Sequence, residues 1–93
     1  MISHSKYDIE LSIACRDLID LDTFTKTDPF ARIYEQKGEK FELIGETEVV
    51  YNNLNPNFNK SVRMDFYFES KQPIKGEIYH KKSSSSEELI GRL

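Results

Sequence analysis

Alternation of apolar and polar residues dominates this chain. Near the N-terminus, apolar side chains occupy every second position at Tyr7, Ile9, Leu11, Ile13 and Cys15. The same pattern returns at Val62, Met64, Phe66 and Phe68, again with polar residues between them. Successive side chains of a strand point to opposite sides of its sheet, so this period is typical of a strand with one buried face. The two runs therefore predict two half-buried strands.

Four further runs have the composition of strands, because they are rich in aromatic and β-branched residues. They lie at 30–34, at 41–51 with Gly45 as the position of a possible β-bulge, at 74–78 around Gly76, and at 89–90. Turn-rich segments separate the runs at 20–28, 36–40, 52–59, 70–73 and 81–88, and the four serines at 83–86 are interpreted as a flexible loop. No long segment favours a helix over a strand. This spacing of strands and turns predicts an all-β, antiparallel β-sandwich.

Composition limits the classes of protein that fit. With 93 residues the chain forms a single small domain, and its net charge of −3 argues against binding nucleic acid. Its only cysteine, Cys15, lies on the apolar side of a strand and is predicted to be a small core residue. Residues 1–6, predicted to be an N-terminal tail, lack the apolar segment of a secretory signal. We therefore expect a cytoplasmic protein.

The residues that enzymes use most often are scarce. The two histidines, His4 and His80, are far apart in sequence, and no serine or cysteine lies in the sequence context of an activated nucleophile. Glycine-rich phosphate loops and zinc-type histidine pairs are also absent from the sequence. We therefore expect that the protein is not an enzyme.

Two motifs carry the most specific information. The first is Asp20-Leu21-Asp22-Thr23-Phe24-Thr25-Lys26-Thr27-Asp28-Pro29-Phe30, and the second is Asn55-Pro56-Asn57-Phe58. Asp22 and Asp28 offer carboxylate oxygens, which are the ligands that Ca²⁺ prefers, although aspartates in a loop also commonly cap turns. With the strands around them, these motifs resemble C2-type domains. Within that family the chain most resembles the first C2 domain of copines, through 18–22, 26–29, 44–48 and 65–69.

The resemblance covers residues 7–93 and implies a Greek-key β-sandwich of eight strands. The sequence pattern accounts for about six of them, and Gly91 falls near the predicted start of the sixth. We therefore expect a C2-type domain at 7–93 whose C-terminal strands are missing. An unpaired sheet edge would then be open to pairing with another strand.

The resemblance also implies a calcium site built from two loops. Asp22 and Asp28 match the first-loop ligands, and Glu88 matches one third-loop ligand, whereas His80 and Lys82 occupy positions where relatives carry carboxylates. A lysine ammonium repels the cation that a carboxylate would attract. We therefore expect calcium binding to be weak or absent. One hypothesis is that the Lys82 ammonium lies between Asp22 and Asp28 and replaces the metal ion. The alternative is that Lys82 points into solvent.

Contact with a membrane follows from the same resemblance. Phe24 and Lys26 in the first loop, together with Lys60 and Arg63, are candidates for contact with anionic phospholipid, although Phe24 could instead fold back over the end of the sandwich. The expected function is a copine-like phospholipid-binding module, peripheral to a membrane such as the plasma membrane, with a degraded calcium site. The alternative is a calcium-independent protein-interaction module that binds a partner by strand addition.

Overall fold

Six strands form two antiparallel sheets in the computed structural model, which describes residues 6–20 and 26–93. The strands are β1 (Lys6–Leu11), β2 (Pro29–Lys37), β3 (Lys40–Glu46), β4 (Val62–Tyr67), β5 (Ile74–Ser83) and β6 (Ser86–Arg92). One sheet has the order β3-β2-β5-β6, and the other pairs β1 with β4. The described residues contain no helix, so the prediction of an all-β antiparallel fold is confirmed.

The core lies between the two sheets. Alternation places Val62 and Met64 on the inner face of β4, where both are buried opposite Leu11 and Ile9 of β1. The facing sheet contributes Ala31, Ile33 and Ile78, and the irregular segments add Ile13, Cys15 and Phe58. Removal of these apolar side chains from water is the main force that holds the sheets together.

The first strand is shorter than its alternation predicts. It ends at Leu11 rather than at Cys15, because the chain then leaves β4 and pairs with the segment that contains Pro56. Cys15 donates its backbone N–H to the Pro56 carbonyl at 2.9 Å, and Phe58 donates to the Ile13 carbonyl at 3.0 Å. The predicted burial of Cys15 is confirmed, and burial raises the pKa of its thiol.

The predicted strand at 41–51 is also too long. β3 ends at Glu46, because the next residue, Thr47, pairs with β2 partly through its side chain. The Thr47 N–H donates to the Ala31 carbonyl, but the Ala31 N–H donates to the Thr47 hydroxyl instead of to a backbone carbonyl, each at 2.9 Å. The predicted irregularity near Gly45 is confirmed. Gly45 lies opposite Ile33 and Leu43 lies opposite Tyr34, which leaves Ile44 as the extra residue of a β-bulge.

The segment 81–88, predicted as a turn, is mostly strand. β5 continues to Ser83 and β6 starts at Ser86, so only Ser84 and Ser85 form the turn of a tight hairpin. The prediction failed because the segment is polar on both faces. Its strands are instead stabilised by pairs of opposite charge across the ladder. The last strand runs through Arg92, so Gly91 lies near its end and not near its start.

Candidate functional site

Three segments meet at one end of the sandwich, which we call the loop end. They are residues 26–28 before β2, residues 50–53, and the β5–β6 hairpin at 80–88. The pairing of Pro29 with His80 places the start of β2 beside the middle of the hairpin. Three further residues of β5 extend past Pro29, which at about 3.3 Å per residue is roughly 10 Å. The hairpin therefore projects beyond the rest of its sheet.

Asp28 is fixed at the centre of the loop end. Its carboxylate Oδ1 accepts the Asn52 N–H at 2.6 Å, and its backbone carbonyl accepts the Lys81 N–H at 2.9 Å. Asn52 has a positive φ of 57°, a conformation that asparagine tolerates better than most residues, and its Oδ1 accepts the Lys26 N–H at 2.6 Å. The Asp28 carboxylate therefore already stabilises a turn, as its turn-capping interpretation predicts.

His80 is part of the core. Only 3% of its surface is exposed, and its Nδ1 accepts the Asp28 N–H at 3.0 Å. His80 thus positions the backbone of Asp28 and does not present a ligand to solvent. Sequence reasoning missed this role, because the buried positions of β5 are Gly76, Ile78 and His80, and only Ile78 among them is a large apolar residue that marks the inner face in the sequence.

The hairpin carries two pairs of opposite charge. Lys81 Nζ lies 3.5 Å from the Glu87 carboxylate, and Lys82 Nζ lies 3.5 Å from the Glu88 carboxylate. About half of the Lys82 side chain is exposed. Asp22 lies outside the described residues, so the hypothesis that Lys82 bridges Asp22 and Asp28 stays a prediction. Within the described residues, the ion-pair partner of Lys82 is Glu88.

On the outer face of the four-stranded sheet, Arg32 contacts residues of the three other strands. Its guanidinium bonds to Glu87 at 2.5 Å and to Glu46 at 3.0 Å, and lies 4.7 Å from the centre of the Tyr79 ring. Burial opposes the charged form, but the hydrogen bonds to Glu46 and Glu87 raise the pKa of Arg32. The bond from Arg32 lowers the pKa of the Glu87 carboxyl. Glu87 therefore ties the hairpin to the middle of the sheet.

The membrane-contact candidates fall in different places. Phe24 lies outside the described residues, whereas Lys26 is exposed at the loop end. Lys60 and Arg63 come together along a cleft of about 310 Å³ between β3 and the start of β4. The Arg63 guanidinium there lies 3.1 Å from Glu10, which offsets part of its charge. The structure therefore separates Lys26 from the pair formed by Lys60 and Arg63.

The described carboxylates do not by themselves make a calcium site. Ca²⁺ takes six to eight oxygen ligands. The described part of the loop end offers the Asp28 carboxylate, which already accepts an N–H, and the Glu88 carboxylate, which lies beside an ammonium. Among residues 6–20 and 26–93, no group of three or more Asp, Glu, His or Cys side chains is placed to hold a metal ion.

A family comparison agrees with this arrangement of sheets and loops. The model of the C2 domain family matches residues 11–93, which is most of the chain. The chain belongs to the C2 domain family. The resemblance inferred from the two motifs is therefore confirmed.

Curated relatives include copines. This C2 domain is 41% identical over 90 residues to Copine-E and 42% identical over 84 residues to Copine-A, both of Dictyostelium discoideum, with 89% of the chain covered in each case. It is 34% identical over 114 residues to the nicotinic receptor-associated protein 1 of Caenorhabditis elegans, with 98% of the chain covered. The chain spans 14–18% of the length of these relatives.

Solved C2 domains share the fold. A C2 domain of plant extended synaptotagmin 1 superposes with a TM-score of 0.71 at 19% identity, covering 95% of this chain and 65% of that one. The structure named BON1-C2B superposes with a TM-score of 0.69 at 24% identity, covering 92% of this chain and 61% of that one. Nowhere in the described part of the chain is there a helix long and apolar enough to cross a membrane.

Proposed function

We propose that this C2 domain docks on anionic phospholipid surfaces through its loop end, and that it depends little on calcium for docking. The observation that carries the proposal is the projecting hairpin, which bears Lys81 and Lys82 at the end of the sandwich where Lys26 is also exposed. Cations near an anionic membrane surface contribute about 1 kcal/mol each, and Glu87 and Glu88 reduce this contribution for the two hairpin lysines. Membrane association would then be peripheral, and we expect it to occur on the cytoplasmic side.

The expected weakness of calcium binding follows from charge. Lys82 occupies a position where the family resemblance implies a carboxylate, and at about 4 Å a unit charge pair in a partly solvated site interacts by roughly 4 kcal/mol. An ammonium therefore opposes a divalent cation as strongly as a carboxylate would attract it. Its pairing with Glu88 also occupies a carboxylate that the resemblance assigns to calcium.

Binding to vesicles tests the proposal. Vesicles of phosphatidylcholine mixed with phosphatidylserine would be titrated by co-sedimentation, once with calcium and once with a chelator. We expect similar affinity in both buffers, and a loss of at least about tenfold when Lys26→Glu and Lys82→Glu are combined. The matched control combines Lys40→Glu with Lys71→Glu, which makes the same charge change at exposed positions near the opposite end. Equal losses for both double variants would contradict docking by the loop end.

A second candidate function rests on β1. Among the described strands it pairs with β4 alone, and Tyr7 on its inner face is 54% exposed although its neighbours across β4 are buried or half-buried. We infer that this edge is able to accept an extended segment of a partner protein by strand addition. Absence of vesicle binding in either buffer would favour this candidate over membrane docking.

A further inference from the structure

The four consecutive serines form the tip of the projecting hairpin. Ser84 and Ser85 are the two residues of the turn, Ser83 and Ser86 close it, and all four are exposed. The tract therefore presents hydroxyl groups to solvent at the outermost part of the loop end. The four side chains do not contribute to the core, since none of them is buried.

The tip is also weakly held. The β5–β6 ladder slips between Lys81 and Ser83, so the pair Ser83–Ser86 is separated from the regular part of the hairpin by an irregularity. The side-chain hydrogen bonds around the turn are long: Ser85 donates its N–H to Ser83 Oγ at 3.4 Å, and Lys81 Nζ donates to the Ser84 carbonyl at 3.4 Å. A short segment with few strong contacts opens locally at low cost. An enzyme that binds its substrate in an extended form has access to such a turn.

Charged residues flank the turn on both sides. Lys81 and Lys82 precede it, Glu87 and Glu88 follow it, and the four charges form two ion pairs that sum to zero. A new anion at the turn would compete with the glutamates for the lysines. Because Lys81 already reaches the Ser84 carbonyl, an ammonium group is within reach of the turn.

We propose that the turn formed by Ser84 and Ser85 is a phosphorylation site, and that its phosphate weakens membrane docking. A protein kinase would transfer the γ-phosphoryl group of ATP. A bond forms between the serine Oγ and phosphorus, the bond to the β-phosphate oxygen breaks, ADP leaves, and the hydroxyl proton passes to a base of the kinase. The product carries close to two negative charges at neutral pH.

This inference rests on the proposed membrane docking and adds phosphorylation as its regulator. One phosphate changes the net charge of the tip from zero to about −2. It also draws the two lysines away from the anionic surface that they would otherwise meet. We expect the affinity for anionic vesicles to fall by about tenfold to thirtyfold. Vesicles of phosphatidylcholine alone should be unaffected.

Direct detection is the first measurement. Trypsin cleaves after Lys82 and after Arg92, so the tract is released as one peptide, 83–92, in which fragment spectra assign a phosphate to a single serine. The chain would be purified under phosphatase inhibition from cells that express it. Phosphate on Ser84 or Ser85 supports the proposal. Recovery of the peptide in its unmodified form only would overturn it.

The second measurement tests the consequence. Phosphoserine would be incorporated genetically at position 85, and in a control chain at Ser70, which is exposed in the connection between β4 and β5 at the opposite end. A tenfold or greater loss for the first chain, with binding retained by the second, supports the proposal. Equal binding of the unmodified chain and the position-85 chain overturns this inference and leaves membrane docking intact. If the unmodified chain does not bind anionic vesicles, the proposed function itself is wrong, and the inference falls with it.

Discussion

At the scale of single residues, two glycines of the strands lie where an added Cβ would meet a neighbouring side chain. A Cβ added to Gly45 would lie 2.8 Å from Val62 Cγ1, and one added to Gly76 would lie 2.7 Å from Leu93 Cδ1. The distances are similar, but the neighbours differ. Val62 is 2% exposed and β-branched, whereas Leu93 is 63% exposed and flexible. Only Leu93 is able to move aside without disturbing the core.

We therefore predict that Gly45→Ala destabilises the protein more than Gly76→Ala does. Overpacking of a rigid core site costs about 1–3 kcal/mol, whereas displacement of an exposed leucine side chain costs much less. The free energy of unfolding measured in urea for both variants checks the prediction. Equal destabilisation would mean that Leu93 is held as firmly as Val62, and Leu93→Ala in the Gly76→Ala background would then restore stability.

At the scale of elements, the β5–β6 hairpin is joined to β2 by charge. Glu87 lies on β6, while its partners Arg32 and Lys81 lie on β2 and β5. The hydrogen bond from Arg32 is the main cause of the lowered pKa of Glu87. A carboxyl whose pKa is lower in the folded state stabilises the fold at pH values above its unfolded pKa, and this stabilisation is lost as the pH falls through the folded value.

We predict that Glu87→Gln makes the melting temperature less sensitive to acid. The unfolded pKa of glutamate is about 4.5, and the folded pKa lies below it, so the native chain should lose the Glu87 contribution as the pH falls below about 5. When the pH is lowered from about 6 to about 3, the melting temperature should fall less steeply for the variant than for the native chain. Glu39→Gln is the control, because Glu39 is exposed in the β2–β3 turn. Parallel curves for Glu87→Gln and the native chain would contradict the assigned role of Arg32.

At the scale of the whole molecule, a calcium ion at the site that the resemblance implies would join two loops that are distant in sequence. A ligand that binds only the folded state raises the melting temperature by an amount set by its concentration relative to its dissociation constant. Because Glu88 lies beside the Lys82 ammonium and Asp28 already caps a turn, the loop end offers little to such a ligand in its described part.

We predict that millimolar calcium leaves the melting temperature of the native chain unchanged relative to chelator, and that Lys82→Asp makes it rise with calcium. The substitution removes a repelling charge and adds a carboxylate, which frees Glu88 as well. Lys71→Asp serves as the control for net charge, since Lys71 is exposed in the connection between β4 and β5. A calcium-induced rise in the native chain would show that its site is sufficient. Lack of a rise in Lys82→Asp would exclude Lys82 as the obstacle.

The sequence by itself determined the strands whose apolar face is continuous, and with them the fold class and the family. Val62 and Met64 are buried as their alternation predicts, and the motifs at Asp28-Pro29 and Asn55-Pro56 were enough to indicate a C2 domain. Such features depend on neighbours in sequence. Alternation of apolar and polar residues along a strand indicates which of its sides faces the core, whatever the partner strand is.

Only the tertiary structure decided where strands end and what the site residues contact. β1 ends at Leu11 because Cys15 pairs with Pro56, and the predicted turn at 81–88 is a hairpin because its charges pair across the ladder. His80, at a position that the family resemblance assigns to a metal ligand, accepts the Asp28 N–H because the register of β5 against β2 aligns it with Pro29. These outcomes depend on register between residues distant in sequence. Register is set by the packing of the whole sandwich, and a local sequence pattern carries no information about that packing.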